Sequence, residues 1–278
     1  MSNLKELTAL KSAYRDRKLI LFLGAGISAT LGLPNWERLI EIMAEDLGYD
    51  SAIFKSYADN NSYILAEYYY LKRNSHFGRL RTKLDQEWHS SDKQEKLELS
   101  EFHKLLANRN FPLIYTTNYD EWIEKAFEFY KKPYSKITNI VDISSHNVNH
   151  SQIVKFHGDF SDDDSIILNE SSYFRRMTFQ DPLDIKFRSD ILSNTVLFMG
   201  YSLTDNNIRN ILYLLNQMWN EKNRMNKPPC YILVKDHNEI LDTVFKSWNV
   251  MPITAAELGI SETDRNKQNK LVLDVISS

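Results

Sequence analysis

Hydrophobic positions follow two rhythms along this chain. Leu4, Leu7, Leu10 and Tyr14 recur every three to four residues, so the spacing predicts an amphipathic helix over 4–17. Lys18-Leu-Ile-Leu-Phe-Leu23 then runs apolar without a break into Gly24-Ala25-Gly26. A short run of this kind, bounded by glycine, reads as a strand buried on both faces. Trp36, Leu39, Ile40, Met43 and Leu47 return to helical spacing, with Gly48 as a stop. From about 50 to 110 strand signals vanish and aromatic and charged residues alternate at helical spacing, which predicts three or four helices forming an insertion or small subdomain. Strand signals resume at 111–116, followed by a helix at 121–130 and shorter strands at 136–141 and 152–156. A helical stretch at 170–193, a strand at 195–199, a helix at 206–222 and strands at 230–234 and 249–253 complete the series. Strand, polar loop and helix in this alternation predict an α/β fold, with a Rossmann-like, doubly wound, mostly parallel sheet. The expected organisation is one domain over 1–278 carrying the helical insertion.

Composition narrows the picture only slightly. With 34 basic and 37 acidic side chains in 278 residues the net charge is −3, which leaves no overall electrostatic footprint for nucleic acid. Cys230 is the single cysteine, excluding an internal disulfide and any zinc site built on two or more cysteines. No apolar run reaches the roughly 18–20 residues that span a bilayer, and the N-terminus lacks the order of a secretory signal, so a cytoplasmic protein is expected.

Glycine is scarce, with 8 in the chain, and half of these residues directly follow strand-like runs. Four predicted strands end in Gly24-Ala-Gly-Ile-Ser28, Thr116-Thr-Asn-Tyr-Asp120, His157-Gly-Asp159 and Gly200-Tyr-Ser202. In an open α/β sheet these loops share the carboxyl edge where ligands bind. Gly24, Ala25, Gly26 and Ser28 suit a phosphate, because glycine admits close backbone approach and the next helix presents N–H groups; a tight turn without ligand has the same sequence. Asn118 and Asp120 can fix a ribose hydroxyl or a water, or cap the following helix. His157 is placed to act as a general base or to fill a structural role. Gly200 and Ser202 could meet a second phosphate or ribose, or form another turn. His146 and His150, the acidic run Asp162–Asp164 and the cluster Tyr68–Tyr70 read as a solvated loop, a solvated turn and helix packing; no metal site is expected.

Taken in order, these motifs resemble a sirtuin-like domain. Gly24-Ala-Gly-Ile-Ser28…Gly32-Leu33-Pro34 is similar to the family's glycine-rich loop, Thr116-Thr117-Asn118-Tyr119-Asp120 to Thr-Gln-Asn-x-Asp, Phe156-His157-Gly158 to its His-Gly motif and Gly200-Tyr-Ser-Leu203 to Gly-Thr-Ser-Leu. The four-cysteine zinc module of sirtuin deacylases is missing, Trp36-Glu37 stands where the family has Phe-Arg, with Arg38 one place later, and Thr117 replaces the glutamine. In this respect the chain resembles the zinc-module-free, sirtuin-like NAD hydrolases of bacterial antiphage defence.

The resemblance implies cleavage of NAD to nicotinamide and ADP-ribose. Gly24–Ser28 and Ser202 would hold the pyrophosphate and adenosine ribose. Asn118 and Asp120 would fix the nicotinamide ribose and a water. His157 would accept a proton, Trp36 would cover the reacting ribose, and Pro34 and Thr117 would count among the residues that bind NAD. The resemblance also implies a homo-oligomer activated by a separate protein, such as a HerA-type ATPase or an argonaute-like protein, because a chain ending soon after the core has no room for its own sensor. Deacylation, ADP-ribosyl transfer and a non-catalytic NAD- or ADP-ribose-sensing subunit are the alternatives.

Overall fold

The computed structural model describes residues 3–88, 90–162, 165–219 and 227–278. Seven strands form one sheet: β1 (Leu19–Leu23), β2 (Leu113–Thr116), β3 (Tyr134–Ile137), β4 (Ser151–Lys155), β5 (Thr195–Met199), β6 (Cys230–Val234) and β7 (Val250–Thr254). Their order is β3-β4-β2-β1-β5-β6-β7 and every pairing is parallel. All carboxyl ends therefore lie on one edge. The chain crosses from one half of the sheet to the other beside β1, the place where such sheets open a crevice.

Both faces of the sheet are covered, which explains the unbroken apolar runs. Along β1, Leu19, Leu21 and Leu23 enter one core with Leu10, Phe102, Ile123 and Leu273, while Ile20 and Phe22 enter the opposite core with Phe187, Phe198 and Ile211. Neighbouring residues of a strand point to opposite faces, so alternate side chains of one run serve two helical layers.

Residues 36–108 fold into six helices: Trp36–Leu47, Ser51–Ser56, Ser62–Lys72, Gly78–Trp88, Ser91–Leu99 and Glu101–Asn108. Five of them fall in the stretch where three or four are expected from the sequence. The excess arises from short breaks, as at Asp59 and Asn60 or Asn74 and Ser75, where the backbone takes a positive φ. The first five of the six share a third apolar cluster built on Ile40, Met43, Leu65, Tyr69, Leu80 and Leu84. Glu101–Asn108 instead sends Phe102 and Leu106 into a sheet core.

Three boundaries differ from those read in the sequence. The strand expected at 136–141 stops at Ile137, because the Asn139 side chain accepts hydrogen bonds from the Val141 and Asp142 amides and starts the helix Ile140–Ser145. The helical stretch 170–193 is two helices, Glu170–Arg176 and Pro182–Ile191, separated at Phe179 (φ 54°) and capped anew by Asp181 ahead of Pro182. The helix beginning at Asn206 ends at Met218, and residues 220–222 of the expected span lie outside the described residues.

Candidate active site

The β1 and β5 loops meet backbone to backbone. The Gly26 amide donates to the Gly200 carbonyl at 2.9 Å, and the Gly24 amide to that of Met199 at 3.0 Å. A Cβ on Gly24 would sit 2.5 Å from the Gly200 oxygen, one on Gly26 2.8 Å from the Gly200 Cα, and Gly200 itself holds φ +61°. These glycines let two loops approach closely enough to form one floor. Gly158, at φ +75°, likewise leaves no room for a Cβ beside Ser165.

Above this floor opens a cavity of about 480 Å³, within the range of small-molecule sites. Ala25, Gly26, Ser28, Pro34, Trp36, Thr117, Asn118, Asp120, His157, Gly200 and Ser202 all line it. Gly24 is the one candidate that does not, being buried behind the loop against Gly200 and Tyr201.

Ser28 is the hub of the polar wall. The Ser28 hydroxyl donates to Asp120 Oδ2 at 2.7 Å and accepts from Asn118 Nδ2 at 2.8 Å, and all three residues are buried. Asp120 Oδ1 also accepts from the Trp122 amide at 3.1 Å, so the carboxylate both caps the helix Trp122–Phe129 and faces the site. Behind it, fully buried Lys155 donates to the Asp120 carbonyl and lies 3.2 Å from Glu124. Burial pushes the Glu124 carboxyl up, against the pull of Lys155. A buried cation thus holds the Thr117–Asp120 loop from beneath.

In the same cavity lining, His157 Nε2 stands 3.2 Å from Asp205 Oδ2, both side chains nearly inaccessible. The ring is close to the carboxylate but out of line with it, leaving Nε2 without an aligned partner. Asp205 also accepts from the Tyr173 hydroxyl at 3.2 Å and, through Oδ1, from the Ile208 amide at 2.9 Å. Burial alone would raise the Asp205 carboxyl, but His157 together with these donors holds it below the ordinary carboxylate value. Burial and the Asp205 charge push the Tyr173 and Tyr201 phenols well above 10.

Asp205, Tyr63 and Tyr173 were not among the residues read from the sequence. An aspartate ahead of a helix carries the signal of an N-cap and nothing more. An aromatic wall runs from His157 to Tyr173 (ring centroids 5.5 Å apart), to Tyr63 (4.5 Å) and to half-buried Trp36 (6.1 Å). Tyr63, Leu84 and Trp88 come from the helices between Ser62 and Trp88, so the helical segment supplies one side of the cavity.

The remaining motifs lie elsewhere. Arg38 pairs with Glu45 and Glu87 on the helical surface, and Tyr69 donates to Asp46. His146 Nδ1 faces the Ile143 carbonyl, and Asp163 and Asp164 lie outside the described residues. Among the described residues no group of three or more His, Cys, Asp or Glu could hold a metal, and no helix is long and apolar enough to cross a membrane.

Residues 112–253 match the family model described as SIR2-like domain. The chain is 28% identical over 260 residues to the NAD(+) hydrolase ThsA of Bacillus cereus (strain MSX-D12), a span covering 93% of this chain and 52% of that protein. It is 32% identical over 210 residues to the NAD(+) hydrolase ThsA of Enterococcus faecium, covering 73% of this chain and 41% of that one. A third relative, defense-associated sirtuin 2 of Bacillus subtilis, is 26% identical over 230 residues, 81% of this chain and 21% of its own length. The chain thus spans about half, or less, of the curated relatives it matches.

Proposed function

The chain belongs to the SIR2-like domain family, and from that premise we propose that it hydrolyses NAD to nicotinamide and ADP-ribose as an effector of antiphage defence. The observation that carries the reading is that two polar clusters, Asn118–Ser28–Asp120 and His157–Asp205, line one cavity. Relatives named as NAD(+) hydrolases support the substrate.

In this reading the pyrophosphate and adenosine ribose lie over Ala25, Gly26 and Ser202, where glycine admits close approach to the backbone and the Ser202 hydroxyl meets them. The nicotinamide ribose lies between Asn118 and His157. Breaking its glycosidic bond develops oxocarbenium-like charge. Asn118 orients water toward that carbon, and His157 takes a proton from the water or from a ribose hydroxyl. Asp205 stands 3.2 Å from the ring that takes the proton. Trp36 and Tyr63 exclude bulk water, so that the ordered water is the one that reacts. The reading keeps a homo-oligomer whose basal turnover a separate activating protein raises, supported by the family resemblance alone.

Turnover in H2-18O tests the reaction type. Hydrolysis places 18O in the ribose hydroxyl of free ADP-ribose. Nicotinamide release with ADP-ribose recovered on protein or another acceptor would assign a transferase instead.

A further inference from the structure

A second concavity, of about 510 Å³, opens on the helical segment, lined by Lys72, Arg73, His76, Arg79 and Thr82. The sequence around it is one-sided: residues 72–83 hold five Lys or Arg and no Asp or Glu, in a chain of net charge −3. The cations are gathered by one buried carboxylate from the preceding helix. Asp46, 1% exposed, lies 2.8 Å from the Arg73 guanidinium, 3.2 Å from that of Arg79 and 3.7 Å from the Lys83 ammonium. The Tyr69 hydroxyl donates to it as well. Three cations around a single carboxylate leave a surplus of two positive charges at a place already ordered by the fold. Lys72, resting over the Tyr68 ring, adds a further one.

We propose that this concavity binds a small phosphorylated ligand. Phosphate groups match clustered guanidinium and ammonium donors in charge and geometry. Lys72, Arg73 and Arg79 converge on a single hollow rather than forming a stripe, which suits a small polyanion better than a nucleic-acid backbone.

The position bears on the candidate active-site cavity. Helix Gly78–Trp88 has Gly78 and Arg79 in the hollow and Leu84 and Trp88 in the cavity wall. Helix Ser62–Lys72 has Lys72 in the hollow and Tyr63 in the wall. Each helix joins the two places over about 15 Å.

Titration calorimetry with inorganic tripolyphosphate tests the proposal on the wild-type chain and on a variant combining Lys72→Gln and Arg79→Gln. Both residues are exposed and neither lines the candidate active-site cavity. The expected result is one site in the wild type, weakened roughly tenfold or more for each cation removed, with an unchanged melting temperature. Equal affinity in the variant, or no binding to the wild type at millimolar tripolyphosphate, would overturn it. So would a short DNA duplex that binds more tightly than tripolyphosphate and loses that affinity in the same variant, because the ligand class would then be nucleic acid.

Discussion

Replacing Ser28 with alanine separates two roles for the glycine-rich loop. The resemblance casts Ser28 as a phosphate contact, whereas its hydroxyl in the structure is committed to Asp120 at 2.7 Å and Asn118 at 2.8 Å. Ser28→Ala removes a buried donor and acceptor together. The Asn118 amide loses this acceptor, and Asp120 Oδ2 loses its hydroxyl donor. Leaving a buried polar group unpaired costs about 1–3 kcal/mol, which for a chain of this size lowers the melting temperature by roughly 2–4 °C per kcal/mol. The effect on turnover comes through Asn118. Misplacement of a positioning group by about 1 Å costs on the order of 100-fold, so kcat should fall roughly 10- to 100-fold while KM changes little. Steady-state nicotinamide release over a range of NAD concentrations reads both constants. A variant with wild-type kcat and a raised KM would refute the hub argument and return Ser28 to the phosphate, because only uniform binding would have been lost.

Four other outcomes follow from the packing and the ion pairs. Gly26→Ala drives a Cβ to 2.8 Å from the Gly200 backbone and should cost about 1–3 kcal/mol together with turnover. Gly48→Ala, at φ +80° but with nothing within 4 Å, should cost about 1–2 kcal/mol of backbone strain and spare turnover, as melting and nicotinamide assays would show. Lys155→Met strands the buried Glu124 carboxylate and should destabilise by about 3–5 kcal/mol, whereas adding Glu124→Leu should recover much of the loss in a denaturant titration. His237, 2.6 Å from Asp242 and 3.1 Å from Glu257, has its pKa raised first by the Asp242 hydrogen bond. Its contribution to stability is therefore complete below 6.5 and disappears as pH rises through the higher folded value. Denaturant midpoints measured across that window should fall in the wild type and stay flatter in His237→Gln.

The sheet was legible because parallel strands covered on both faces must be apolar throughout, and Leu19–Leu23, Thr195–Met199 and Cys230–Val234 read that way without ambiguity. The loops were legible because polar tetrads at strand ends share one edge of a parallel sheet. Asp205 was not, since its sequence signal is spent on capping the helix Asn206–Met218. Tyr63, Tyr173 and Trp88 reach the cavity from elements far apart in sequence, and an aromatic residue at helical spacing looks the same whether it faces a core or a ligand. Lys155 closes the strand Ser151–Lys155 and would pass for a solvated end; only the three-dimensional packing reveals Glu124 beside it and the Asp120 carbonyl above it. The early end of β3 turned on one side chain, Asn139, whose amide oxygen competes for the next two backbone amides.

Nicotinamide release from NAD by the purified chain, compared with His157→Ala and Asn118→Ala, tests the central claim most directly. The account predicts release by the wild type and a loss of at least about 100-fold in each variant, with melting curves that keep both folded. Release at the wild-type rate from either variant would contradict it, and so would a wild type that binds NAD in this cavity and frees no nicotinamide.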